Sequence, residues 1–206
     1  MLNKLQKEQT ELARKVILKD SFEKLETIGG VDQVFTDSKI ISAIVVCDYK
    51  TMNIVEEQYA VTESKLRYVP GFRAYRELPA IVEAYNKLDV KPDVLIVGGH
   101  GVTHPRGLGI ASHAGLVLDQ ATIGIANKLI VGEIVNYKVV IDKKVKGAMI
   151  SAKEKSNPIV VSPGHKISLK TSVEIVKNCI RAPHKLPEPL QLAHKLGNRV
   201  KKEMKT

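Results

Sequence analysis

The sequence has no tryptophan and only two cysteines, Cys47 and Cys179, in 206 residues. Those two thiols lie far apart, with no CxxC and no Cys/His cluster, which argues against a disulfide scaffold and a structural zinc module. A reducing, cytoplasmic setting is therefore expected. Apolar runs such as Ile40 to Cys47 fall well short of the roughly 18 residues that a membrane-spanning helix needs. The opening MLNKLQKEQTELARKV mixes charged and apolar side chains and lacks the uninterrupted hydrophobic block of a secretory leader. There is no internal repeat and no Gly/Ser-rich linker, so one domain over residues 1–206 is expected.

Hydrophobic residues make up 44% of the chain, enough to bury a sizeable core and to exclude intrinsic disorder. The formal charge is +10, and it is unevenly placed: 16 of the 32 Lys and Arg lie beyond Tyr137, against only 5 of the 22 acids. Such an excess reads either as a solvated Lys-rich face or as a footprint for a polyanion, and charge alone does not choose between them.

Leu5, Leu12, Val16 and Ile17 recur at near-helical spacing and predict a helix over residues 3–20. Three extended segments follow, at 27–35 (broken by Gly29 and Gly30), 39–48 and 53–62, which suit an antiparallel meander. A turn-rich loop at 66–73 (LRYVPGFR) precedes a helix from Tyr75, with Ile81, Val82, Tyr85 and Leu88 on one face. The mostly apolar DVLIV after Pro92 fits a buried parallel strand. Beyond it the pattern predicts a helix near 110–118, a strand at 122–126, a β-rich stretch at 133–161, a helix over 169–181 capped by Ser168, and a basic helix at 188–204. This is a mixed α/β sheet and not a pure βαβ winding.

In open α/β sheets, ligands gather beyond the carboxyl ends of the strands. Asp32, in GVDQVF, is either an acid whose burial some partner compensates or a turn acid held by backbone amides. Glu77 lies near a helix start, where complementing the helix dipole is its default role. Tyr68 sits on a loop braced by Pro70 and Gly71, between Arg67 and Arg73, so it either packs back on the fold or stacks on a base. In GGHGVTHPRGLGIASH the glycines do not form a GxGxxG fingerprint, and Gly and Pro content makes an HExxH-type helix improbable. His100, His104 and His113, with Arg106, either satisfy a turn or handle phosphate.

Taken together, GVDQVF, YVPGFRAYRE, PDVLIVGGHGVTHPRGLGIASHAG, TIGIANK and VVSPGHKIS resemble the endonuclease V family in order along most of the chain. The resemblance implies a ribonuclease H-like mixed sheet flanked by helices. It implies a Mg²⁺-dependent repair and processing nuclease, with Mn²⁺ as an alternative cofactor, that cuts the second phosphodiester bond 3′ to deoxyinosine in DNA or inosine in RNA. On that resemblance Asp32 and Glu77 are the metal-binding and catalytic acids and His165 is an active-site histidine. Tyr68 is the wedge, supported by Val69 and Pro70, with Gly71 backing the base pocket; His104 and Arg106, from the reading of their own segment, are taken as nucleic-acid-binding. A monomer acting on nucleic acid is expected, with no membrane role.

Two positions depart from the family pattern. Gly98 stands where the family has a second metal carboxylate, and Asn127 where it has an active-site lysine. Lys128 is a poor substitute, because adjacent side chains on a strand face opposite ways. Asp93 is at the far end of its short strand. The expected function is therefore an endonuclease V-like nuclease of weakened or altered activity. The alternatives are a non-catalytic nucleic-acid-binding member and a structural protein whose basic third meets an acidic partner.

Overall fold

Hydrophobic alternation organises the chain around one mixed sheet, seen in a computed structural model that describes residues 2–64, 67–151 and 157–204. β-Branched residues concentrate in β1 (Thr27–Phe35) and β2 (Lys39–Asp48), which with β3 (Ile54–Glu63) form the predicted antiparallel meander. β4 (Val94–Gly98) pairs with β1 in parallel, and β5 (Thr122–Ala126) with β4. Four antiparallel strands complete the sheet: β6 (Glu133–Val135), β7 (Lys138–Ile141), β8 (Lys144–Ile150) and β9 (Ile159–His165). The order is β3-β2-β1-β4-β5-β9-β8-β7-β6.

The β-rich stretch thus resolves into short strands, with residues 152–156 outside the described residues. Its turns place Asn136, Tyr137, Asp142 and Lys143 at positive φ, the left-handed pairs that two-residue hairpin loops demand.

Helices cover both faces: α1 (Leu2–Ala13), α2 (Arg73–Asn86), α3 (Ile110–Leu118), α4 (Leu169–Cys179) and α5 (Glu188–Glu203). Strand alternation sorts the core accordingly. Ile28 and Val34 of β1, and Val94 and Ile96 of β4, pack on the side of α4 and α5. Val31, Leu95 and Val97 pack on the side of α2 and α3. The result is the helix-flanked mixed α/β sheet expected from the sequence. Among the described residues, no helix is long and apolar enough to cross a membrane.

Two local expectations change. The first helix ends at Ala13, short of residue 20, because β-branched Val16 and Ile17 follow and the Ile17 N–H is drawn out to His165 Nδ1 at 3.2 Å. The strand at Thr27–Phe35 is continuous through its glycines. A Cβ on Gly30 would lie 2.2 Å from the Pro189 carbonyl carbon, so the glycine is where α5 rests directly on β1.

Candidate nucleic-acid interface and cleft

The parallel strands β1, β4 and β5 end together, and beyond their ends opens a cleft of about 660 Å³ lined by Asp32, Arg73, Gly98, Asn127, Lys185 and His194, among others. Asp32 follows Val31, which pairs with Val97, so it stands level with Gly98. It is half-buried, and its Oδ2 accepts a hydrogen bond from His194 Nδ1 at 2.7 Å. His194 reaches it because α5 buries Leu190, Ala193, Gly197 and Val200 against the sheet, which leaves residue 194 at the edge of that stripe.

Glu77 lies on the buried stripe of α2, with Ala74, Leu78 and Ile81 at helical spacing, and is only 1% exposed. Burial pushes its carboxyl upward in pKa, and the neighbouring Arg73 opposes that shift. The Arg73 Nε donates to Glu77 Oε2 at 2.6 Å, one helical turn away, and an Nη2 hydrogen reaches Gln33 Oε1 at 3.2 Å.

Position 98 faces Asp32 directly: a Cβ on Gly98 would come within 2.5 Å of Asp32 Oδ1, the tip of a side chain that can turn aside. A second acid at this point would also place two like charges side by side. Asn127 is exposed, and Lys185, in the segment between α4 and α5, donates from Nζ to Asn127 Oδ1 at 2.9 Å. An ammonium therefore sits beside Asn127, delivered from the segment between α4 and α5. Asp93 is fixed at the opposite strand end, where its Oδ2 accepts from the Glu26 and Thr27 backbone at 2.8 and 2.9 Å.

A smaller hollow of about 150 Å³ lies beside the cleft, lined by Tyr68, Gly71, His100 and His104 and sharing Arg73 and His100 with it. Of the loop expected at 66–73, Leu66 falls outside the described residues. Tyr68 is 60% exposed, Pro70 is exposed and Val69 half-buried, its carbonyl closing a turn with Phe72 N at 3.0 Å. Gly71 has φ +78°, a left-handed conformation that favours glycine. Arg106 is committed to bracing this loop. It donates to the Gly71 carbonyl at 2.7 Å and to Gln9 Oε1 at 2.5 Å, and its guanidinium lies 4.6 Å from the Phe72 ring centre.

Burial lowers the pKa of His100 and His113 and pushes His104 down to about 4. Two of these rings are engaged within the fold, His100 Nδ1 with Thr103 Oγ1 at 2.9 Å and His104 Nδ1 accepting from Arg106 N at 3.3 Å, and neutral imidazoles at pH 7 bring no charge to a phosphate.

His165 is placed elsewhere. It pairs with Thr122, at the amino end of β5, whereas Asn127 follows the carboxyl end of that strand. Its Nδ1 accepts from Ile17, and it does not line the cleft. The histidine that the fold brings to Asp32 is His194. Sequence reasoning missed it along with Arg73 and Lys185. The i,i+4 spacing of Arg73 and Glu77 was a usable signal, and the other two are joined to the site only by tertiary folding.

Nucleases of the endonuclease V family are metal-dependent. The donor set here does not fit a divalent cation: Gly98 brings no side chain, Glu77 is paired with Arg73, and Asp32 is bonded to His194. Among the described residues, no three His, Cys, Asp or Glu side chains are disposed to hold a metal ion.

The family model for endonuclease V matches residues 10–195. The chain is 41% identical to endonuclease V of Dictyoglomus thermophilum over 197 residues, covering 90% of this chain and 85% of that one. It is 39% identical to endonuclease V of Thermofilum pendens, covering 94% and 86%. Among solved structures, the catalytic domain of human endonuclease V superposes with a TM-score of 0.91 at 27% identity, covering 98% of this chain and 96% of that one. The Ciona intestinalis endonuclease V, in complex with DNA containing an inosine followed by a ribo-adenosine, gives 0.89 at 26% identity, covering 98% of both chains. With this sheet order, this cleft and these matches, the chain belongs to the endonuclease V family.

Proposed function

We propose that this chain, as one domain, recognises deoxyinosine in DNA or inosine in RNA at the hollow beside Tyr68, and that its cutting of the second phosphodiester bond 3′ to that base is strongly weakened. The observation that carries this reading is the sharing of Arg73 and His100 between the hollow and the cleft, which sets base recognition next to phosphate contact. The inosine-containing DNA held by the Ciona intestinalis relative supports the substrate class.

Tyr68 fills the gap in the stack, offsetting an unstacking cost of a few kcal/mol, while neutral His100 and His104 line the pocket for the displaced base. Cutting requires charge stabilisation at the phosphate and the leaving oxygen, which family members obtain from Mg²⁺ or Mn²⁺ on clustered acids. Asp32 and Glu77 are the remaining acids of that cluster, and the losses at Gly98 and Asn127 reduce turnover.

Direct binding tests the reading: titration of the protein with a strand carrying one inosine and with its guanosine and adenosine counterparts. Affinity at least about tenfold higher for inosine is expected, about 1.4 kcal/mol. Equal affinity for all three strands would overturn recognition of the deaminated base.

A further inference from the structure

The cleft contains a cation of its own. Arg73 opens α2, lines both the cleft and the hollow, and spends only part of its guanidinium internally, on Glu77 at 2.6 Å and Gln33 at 3.2 Å. Its Nη1 makes no hydrogen bond among the described residues and lies against Gly99, where a Cβ would come within 3.0 Å of it. The Arg73 side chain is 34% exposed while that of Glu77 is 2% exposed, so the ion pair is anchored in the core and open to the cleft on its cationic side. Lys128 and Lys185 line the same cleft, against Asp32 as its acid.

We propose that the Arg73 guanidinium stands in for a divalent metal ion: it neutralises Glu77 and offers its free N–H groups to a strand phosphate, making nucleic-acid binding independent of metal. The inference rests on the recognition reading above and adds the means by which the phosphate is held. The absence of an acid at position 98 and the guanidinium beside Glu77 act in the same direction. A site with one carboxylate fewer has less to attract Mg²⁺, and a fixed cation beside Glu77 repels it. A planar guanidinium suits a phosphate, which it can meet through two parallel N–H bonds.

Two readouts test this, neither of them cleavage. In the first, Mn²⁺ is titrated into the protein and followed by electron paramagnetic resonance. Wild type should take up no Mn²⁺ in a manner sensitive to Asp32→Asn, whereas the Arg73→Leu, Gly98→Asp double variant should gain one such site. In the second, affinity for an inosine-containing strand is measured in EDTA and in Mg²⁺ at matched ionic strength. The two affinities should agree for wild type. The Arg73→Leu, Glu77→Gln pair removes the cation without stranding a buried carboxylate, and it should weaken binding about tenfold and lower the salt slope by about 1. The Arg73 assignment is overturned by wild-type Mn²⁺ uptake that Asp32→Asn abolishes, by loss of strand binding in EDTA, by a double variant that takes up no Mn²⁺, or by unchanged affinity in the Arg73→Leu, Glu77→Gln pair. Equal binding of inosine and adenosine strands would instead sink the recognition reading and leave the metal result standing.

Discussion

Tyr68 is a large aromatic held in solvent, 60% exposed on a loop whose neighbours are otherwise committed. Arg106 braces Gly71 and stacks on the Phe72 ring, while Tyr68 stays exposed beside them. Tyr68→Ala should leave thermal stability nearly unchanged and weaken inosine-strand binding by about 1–3 kcal/mol, the usual worth of one stacked base. A titration giving unaltered affinity would remove the wedge role. His104 makes the opposite case, a buried imidazole whose charge the fold rejects. The unfolded chain takes up its proton near 6.5, whereas burial holds the folded value at about 4. Stability contributed by the neutral form is therefore lost as pH falls from 6.5 toward 4, by about 2 kcal/mol between pH 7 and pH 5. Urea denaturation at the two pH values should show the lower midpoint at pH 5 and a smaller gap in His104→Gln; an identical gap in that variant would contradict it.

Elements explain which site residues could be foreseen. Asp32 and Glu77 lie on strongly patterned segments, β1 and α2, so their surroundings followed from alternation and helical spacing once the strand and helix were placed. The default reading of Glu77 as a dipole-complementing surface acid fails because it sits on the apolar stripe with Leu78 and Ile81. His165 was given an active-site role by the family resemblance alone, while the antiparallel pairing of β9 carries it to the far end of β5. His194 and Lys185 were not legible, since each meets its partner across a long stretch of chain. Position along the sheet is thus harder to read than membership of a strand. Gly30 makes that dependence testable: it seats α5 on β1, and α5 carries His194 to Asp32. Gly30→Ala would force a Cβ against the Pro189 backbone and should lower stability by a few kcal/mol, as an overpacked core does. His165→Ala should also reduce stability but leave inosine-strand affinity within about twofold of wild type, since less than 0.5 kcal/mol is at stake for a group away from the cleft. Loss of strand binding without loss of stability would restore His165 to the site.

At the scale of the molecule, the +10 charge is less free than its count suggests. Lys166 pairs with Asp119 at 2.7 Å, Arg199 with Glu57 at 2.8 Å, and Lys201 reaches the Phe35 carbonyl at 2.6 Å. Among the described residues, the Lys and Arg that line the cleft are Arg73, Lys128 and Lys185, and of these Lys185 comes from the basic C-terminal third. The central claim is that the fold keeps recognition while Gly98, Asn127 and Arg73 suppress cutting. It is tested most directly by a nicking assay at enzyme excess, with Mg²⁺ or Mn²⁺, on a deoxyinosine duplex and an inosine-containing RNA. Wild type should nick at least about 100-fold more slowly than the Gly98→Asp, Asn127→Lys, Arg73→Leu variant, the scale expected for restoring charge stabilisation at a transition state. Wild-type cutting as fast as that variant, and abolished by Asp32→Ala, would contradict the account.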